Sequence, residues 1–182
     1  NPQPFFAQDV KDWQPDTQLT FQPHCVSEDR ATCQTFQALS GTQLTTGTLQ
    51  SGDILDLDVV LKTNEPGKVS MVRGWLKYDP VVLEARSVEL APILSQPIPG
   101  EQTVDAVAGV VKIGGGTSGS VPGNDVAIAR VTFRVKATTA DTVIEFSQFN
   151  PEGTGQTAVN STQNNVNTPM LTVQPTSLLV RL

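Results

Sequence analysis

The chain contains one histidine, His24, and so has one imidazole that could activate a nucleophile. A Ser-His-Asp or Cys-His arrangement needs that imidazole to take a proton from the attacking hydroxyl or thiol. His24 lies in a proline- and glutamine-rich segment without a regular period, which favours a surface position for it. We therefore expect neither arrangement in this protein.

Two pairs of carboxylates lie close enough in the sequence to suggest glycoside hydrolysis, which needs two such groups around the scissile bond. They are Asp56 with Asp58, and Asp79 with Glu84. Asp56 and Asp58 alternate with apolar residues, so they fall on the outward side of a strand, where solvated carboxylates are common. The sequence therefore predicts a protein that is not an enzyme.

Two further features resemble ligand sites only in part. Asp53, Asp56 and Asp58 offer the oxygen atoms that calcium prefers, but they lack the ligand spacing of a calcium-binding loop. The run G-G-G-T-S-G at 114–119 has the glycines of a phosphate loop without its lysine or the helix that follows it. We expect a flexible loop at 114–119, and we predict no metal and no cofactor.

Cys25 and Cys33 enclose a polar loop that a disulfide could close. With His24 they supply too few ligands for a closed tetrahedral zinc site. Disulfides persist in oxidising compartments, so a Cys25–Cys33 disulfide implies a protein that is secreted or displayed on the cell surface. Asn160-Ser161-Thr162 forms a glycosylation sequon that is compatible with this location.

Composition excludes several classes of partner. The 182 residues carry a net charge of −6 at pH 7, so the chain has no basic field for nucleic acid or anionic lipid. No apolar run is long enough for a membrane helix, and the opening N-P-Q-P-F-F lacks a signal-peptide pattern. We expect a soluble, already processed chain that neither binds nucleic acid nor inserts into a membrane.

Short strands are the elements that must position these residues. The chain has 14 Gly and 13 Pro, and this frequent punctuation of short apolar runs favours an all-β protein. Residues 54–61 and 128–135 alternate apolar with polar side chains, as expected of sandwich strands. Further strands are expected at 84–90, 104–113, 142–146, 170–173 and 177–182, with a loop at 92–100 and a polar stretch at 155–168. About eight strands from Gly47 onward predict an antiparallel β-sandwich or jelly roll.

The domain is organised around residues 72–83, V-R-G-W-L-K-Y-D-P-V-V-L. Two sets of side chains alternate there and point to opposite sides of a strand: Val72, Gly74, Leu76 and Tyr78 in one set, and Arg73, Trp75 and Lys77 in the other. Asp79-Pro80 then ends the strand, because proline donates no ladder hydrogen bond. The segment predicts a half-buried strand with Tyr78 facing the core.

Residues 1–46 are expected to form an extended N-terminal arm, and residues 47–182 the sandwich. Short strands are predicted within the arm at 19–21 and 35–39. The arm either wraps its own domain or adds a strand to a neighbouring subunit. In the second case we expect its assembly contacts to be Phe5, Phe6, Leu19 and Phe21.

Three segments resemble the cohesin domain, the receptor module of cellulosome scaffolds and of many unrelated surface proteins. They are S-G-D-I-L-D-L-D-V-V-L (51–61), G-W-L-K-Y-D-P-V-V-L-E-A-R-S-V (74–88) and D-V-A-I-A-R-V-T-F-R-V-K-A (125–137). The Y-D-P-x-V-L-E portion is the most specific. The resemblance covers about residues 47–182. It implies a nine-stranded jelly-roll sandwich without catalysis that recognises protein through one sheet face.

The predicted binding strand departs from the family pattern. In cellulosomal cohesins this strand carries outward asparagine and aspartate that receive the dockerin helix. Here the outward positions hold Met71, Arg73, Trp75 and Lys77, an apolar and cationic stripe with residue types common at interface hot spots. We expect this stripe to bind a dockerin-like module or another surface protein, unless the arm covers Trp75.

Two other functions remain open. Copies of the chain could assemble into a surface filament or layer through the arm. A carbohydrate-binding module shares the sandwich type, but with seven Phe, two Trp and one Tyr the chain has few aromatic residues for a sugar-binding platform, and this function ranks third.

Overall fold

A computed structural model describes residues 17–26, 36–39, 42–45, 49–63, 66–138, 141–147, 157–163, 166–169, 173–175 and 177–180. Within these ranges the chain forms fourteen strands and a short 3-10 helix at Pro66–Lys68. No helix in these ranges is long and apolar enough to cross a membrane. The predicted all-β class is confirmed.

The strands follow one another with short connections between most of them. In chain order they are β1 (Thr17–Val26), β2 (Phe36–Leu39), β3 (Thr42–Thr45), β4 (Ile54–Thr63), β5 (Val69–Lys77), β6 (Leu83–Leu90), β7 (Gln96–Asp105), β8 (Val110–Gly116), β9 (Asp125–Val135), β10 (Thr142–Phe146), β11 (Ala158–Gln163), β12 (Val166–Pro169), β13 (Val173–Pro175) and β14 (Ser177–Val180).

These strands form two sheets that share one hydrophobic core. The five-stranded sheet has the order β13-β1-β4-β9-β6. The nine-stranded sheet has the order β12-β11-β5-β10-β14-β3-β2, and β8 joins it on β5 with β7 beyond. Neighbouring strands are antiparallel except for β1 with β13 and β14 with β3. The predicted β-sandwich is therefore confirmed.

The core is built by the alternation seen in the sequence. The alternating apolar residues of β4 are fully buried, and so are two members of the corresponding set on β9: Leu55, Leu57, Val59 and Leu61, then Val131 and Phe133. Phe21 of the five-stranded sheet stacks on Phe146 of the nine-stranded sheet, with ring centroids 4.6 Å apart. Tyr78 meets Phe133 edge to face at 5.2 Å. Such aromatic pairs join the two layers of the sandwich.

The prediction for residues 92–113 is wrong in two places. The expected loop at 92–100 contains the start of β7, and the expected strand at 104–113 spans the turn between β7 and β8. Pro97 and Pro99 are tolerated in β7 because it lies at a sheet edge, where a missing N–H breaks no ladder. Gly109 makes the turn possible with a φ of +65°, a conformation that glycine adopts readily.

Two polar or glycine-rich segments also form strands that sequence reasoning did not expect. Residues 114–116 are part of β8 rather than a flexible loop, and pair with β5. The polar stretch at 155–168 contains β11 and most of β12, which form an antiparallel pair. Neither segment has the apolar alternation that predicts a strand. Backbone pairing with β5 places both of them in the sheet, and Val159 of β11 adds a buried side chain to the core.

The predicted arm contributes strands to both sheets. β1 pairs with β4 through ten consecutive registers, and its Leu19 and Phe21 are fully buried in the core. The expected boundary at residue 46 therefore does not coincide with an edge of the sandwich. Phe5, Phe6, Cys33 and the side chain of Cys25 lie outside the described residues, so the disulfide and the assembly contacts of Phe5 and Phe6 stay predictions.

Candidate protein-binding face

β5 occupies the middle of the local sheet and presents the predicted stripe. It pairs with β8 along one edge, and with β11 and then β10 along the other. Val72 and Leu76 face inward and are fully buried, which turns the alternate side chains outward. Of the predicted stripe, Met71, Arg73 and Trp75 are half-buried and Lys77 is exposed, and their role in binding a partner stays a prediction.

Trp75 has a cationic neighbour that sequence reasoning missed. Lys112 is the register partner of Trp75 on β8, and its Nζ lies 4.5 Å from the centroid of the indole ring. A cation at this distance is attracted to the negative face of the ring. The pairing could be found in the sequence only once the β5–β8 register is known.

Arg73 faces a carboxylate that sequence reasoning also missed. Its Nε lies 2.9 Å from Oε2 of Glu101, and the two side chains are 15% and 9% exposed. The Nε makes no hydrogen bond, so the N–H is not aimed at the carboxylate and the contact is ionic. Removal of either member would leave the other charge buried without a partner, which is destabilising.

Glu101 reaches Arg73 because β7 carries a wide bulge. Pro97 pairs with Gly115 and Gln102 with Ile113, so residues 98–101 lie opposite Gly114 alone. We name residues 98–101 the strap. A Cβ on Gly114 would lie 2.9 Å from Cβ of Glu101, closer than such atoms approach, so the glycine is what lets the strap close on the sheet.

The next glycine serves the opposite side of β8. Gly115 faces the core, and a Cβ there would lie 2.9 Å from Cβ of Leu94. The chain between β6 and β8 therefore packs Leu94 under β8 and Glu101 over it. The glycine run is a site of close packing, which explains its composition without a phosphate ligand.

Beyond Trp75 the outer face carries exposed side chains on β5 and β10. Glu145 is the register partner of Lys77 and is exposed, and Val143 on the same side of β10 is 42% exposed. In the other direction, Asn160 of the sequon pairs with Met71 and is only 7% exposed. The exposed side chains of this face therefore lie at Lys77 and on the adjacent part of β10, at one end of the stripe that the sequence predicted.

The sequence matches the family model described as Cohesin domain over residues 41–170, which is more than half of the chain. The chain belongs to the cohesin family. Among curated protein sequences, none matches it significantly.

Solved cohesin structures share the fold of this cohesin domain at low sequence identity. The solution structure of CaCohA2 from Clostridium acetobutylicum matches with a TM-score of 0.56 and 13% identity, covering 92% of each chain. The seventh ScaB type I cohesin from Pseudobacteroides cellulosolvens matches with a TM-score of 0.53 and 16% identity, covering 73% of this chain and 86% of the other. The OlpC cohesin of Clostridium thermocellum, solved in complex with the Doc435 dockerin, matches with a TM-score of 0.51 and 14% identity, covering 72% of this chain and 86% of the other.

The carboxylates that sequence analysis considered for catalysis have structural contacts in this cohesin domain. Asp58 accepts two hydrogen bonds from Arg130, at 2.7 and 3.1 Å, and this contact raises the pKa of the guanidinium. Asp56 accepts a hydrogen bond of 2.6 Å from the hydroxyl of Thr132. Asp79 accepts one of 2.8 Å from the backbone N–H of Val81, which fixes the turn after β5.

Proposed function

We propose that this cohesin domain is a non-catalytic protein-binding module that recognises its partner through the outer face of the nine-stranded sheet. The observation that carries the proposal is the Trp75–Lys112 pair, a half-buried indole under a lysine on the accessible side of β5. Tryptophan is among the residue types that dominate interface energetics. Membership of the cohesin family supports the same function.

The partner we propose is a dockerin-like module, and the location is extracellular or at the cell surface. Support comes from the related OlpC cohesin, whose structure was solved with a dockerin. The face of this chain is aromatic at Trp75, aliphatic at Val143 and charged at Lys77, Lys112 and Glu145. A complementary partner surface therefore brings apolar side chains toward Trp75 and Val143, and acidic or hydrogen-bond-accepting groups toward the lysines.

The test is binding of the purified chain to a panel of dockerin modules, including Doc435 of C. thermocellum. We expect Trp75→Ala to weaken binding by about 2 kcal/mol or more, which is about thirtyfold. The matched control is Arg134→Ala, an exposed position on the outer face of the other sheet. Binding by no member of the panel contradicts the dockerin-like partner, and equal affinity of the two variants contradicts the face.

The second candidate function is a subunit of a surface filament that assembles through the N-terminal arm. The pairing of β1 with β4 within one chain argues against exchange of Leu19 and Phe21, since both already fill the core. Phe5 and Phe6 remain as candidate contacts between copies. Light scattering over a concentration series distinguishes the two functions: growth of the mass beyond 19.5 kDa favours assembly, and a constant monomer mass contradicts it.

A further inference from the structure

We propose that Arg73 and Gly114 form a carboxylate-binding subsite on the outer face, filled by Glu101 of the strap in the free protein and by an acidic side chain of the partner in the complex. The inference deepens the proposed function and rests on it for the identity of the second occupant. The subsite has three components. They are the guanidinium of Arg73, the backbone of Gly114, which has no side chain, and the carboxylate of Glu101 in the space beside them.

The guanidinium of Arg73 determines which type of side chain can occupy the subsite. The side chain of Arg73 is 15% exposed, and a guanidinium with so little water needs an anionic neighbour. Its planar fork of N–H groups matches a carboxylate, which can accept two parallel hydrogen bonds from it. The geometry therefore favours an acidic side chain over a neutral one at this position.

Gly114 provides the space. It is the register partner of Arg73 on β8, and the absence of a side chain leaves a recess beside the guanidinium. Glu101 lies in that recess, 2.9 Å from the Nε of Arg73. Trp75 follows two residues later on the same side of β5, so the recess is continuous with the proposed binding face.

The contact of Glu101 leaves room for a better ligand. Arg73 Nε makes no hydrogen bond although Oε2 is close. The Arg130–Asp58 pair on the other sheet shows the alternative, since two aligned hydrogen bonds join its members. A partner carboxylate that approaches in the plane of the Arg73 guanidinium can accept two aligned hydrogen bonds from it. Such a pair is stronger and more directional than the contact with Glu101.

The strap can move without loss of the sheet. β7 remains paired with β8 on both sides of it, through residues 96–97 and 102–105. The strap itself includes exposed Pro99 and Gly100, and Gly100 has a φ of +79°. A displacement of four residues between two paired segments exposes the recess while the core stays closed.

Acetate is the probe for the first half of the proposal. Glu101→Ala empties the recess, and we expect acetate to raise the midpoint of thermal unfolding of this variant by a few degrees in a saturable manner, compared with chloride at equal ionic strength. The wild type, whose recess is filled, shows no acetate-specific change. Arg73→Met/Glu101→Ala, which lacks the cation, is the matched control and shows none.

Every outcome of this experiment decides the point. An acetate effect of equal size in the double variant overturns the subsite, and so does the absence of an effect in Glu101→Ala. If Glu101→Ala is unfolded in chloride, recovery of the fold in acetate supports the proposal. Failure to fold in both salts overturns it, because the site would then require the carboxylate of the strap itself.

The second half is tested with any dockerin that binds the wild type. Removal of the competing carboxylate in Glu101→Ala should tighten binding by about tenfold, and Arg73→Met/Glu101→Ala should lose that gain. Unchanged affinity in Glu101→Ala, together with loss of binding in Trp75→Ala, overturns this inference while the proposed function stands. A positive acetate result with no binding by any dockerin supports the subsite but overturns a dockerin both as its second occupant and as the proposed partner.

Discussion

The two outer faces of the sandwich use similar residues in different ways. On the five-stranded sheet, Arg130 and Asp58 face each other across β9 and β4 and join through two aligned hydrogen bonds, and Lys62 lies near Asp125 on the same pair of strands. On the nine-stranded sheet, Arg73 of β5 contacts Glu101, which lies in the bulge of β7 rather than on a strand paired with β5. On the first face, opposite charges on neighbouring strands pair with each other. The second face has an aromatic ring on its outer side.

Outward polarity alone does not identify a binding face in this sandwich. Both sheets alternate buried and outward side chains, and both display arginine. The distinguishing observations are the Trp75–Lys112 contact and the 42% exposed Val143, which place an aromatic ring and a large exposed aliphatic side chain on the outer face of the nine-stranded sheet. Apolar surface rimmed by charges is typical of interaction sites.

The largest expected effect comes from breaking the ion pair on each face. Arg73→Met leaves the carboxylate of Glu101 9% exposed without its partner, and we expect the free energy of unfolding to fall by about 3 kcal/mol. Arg130→Met removes a pair whose arginine and aspartate are 51% and 15% exposed, so water reaches the remaining carboxylate more easily and a loss of about 1 kcal/mol is expected. Urea unfolding measures both, and equal losses would contradict the difference between the faces.

A glycine substitution tests the packing of the strap of β7 against β8. Gly114→Ala forces a Cβ against Glu101, and we expect a loss of about 1–3 kcal/mol from overpacking. Gly119→Ala is the matched control, since a Cβ there meets nothing within 4 Å. Unfolding midpoints that coincide for the two variants would show that the strap does not rest on Gly114.

The smallest effect concerns the core beneath both faces. Burial raises the pKa of the Tyr78 phenol above its ordinary value, so the folded chain holds this proton more tightly than the unfolded chain. The resulting stability is complete below the unfolded pKa of about 10 and declines as the pH rises through the folded value. Tyr78→Phe should have a flatter stability profile above about pH 10; a profile parallel to that of the wild type would exclude Tyr78 as the source.

Much of the fold could be predicted because apolar alternation survives in the strands that form the core. The inward sets of β4, β5 and β9 are buried as their spacing indicated, and the Asp79-Pro80 turn ends β5. The first strands of the chain were harder to assign, since β1 has one proline and two glutamines but is held by its pairing with β4. Local sequence does not report pairing between residues this far apart.

The candidate site was predicted only in part for the same reason. Trp75 and Lys77 follow directly from the alternation of β5. Lys112 and Glu101 become neighbours of the stripe through the β5–β8 register and the bulge in β7. Pro97, Pro99 and Gly100 are typical of a loop, so the sequence did not predict β7. Without β7 and the β5–β8 register, neither the Lys112–Trp75 contact nor the Glu101–Arg73 contact could be predicted.

The most direct test of the central claim is the footprint of a bound dockerin on the isotope-labelled chain, read from amide chemical-shift changes. We predict the largest changes on β5, β8 and β10 around Trp75, Lys112 and Val143, with little change on β4, β6 and β9. A footprint centred on Arg130 and the outer face of the five-stranded sheet would contradict the account.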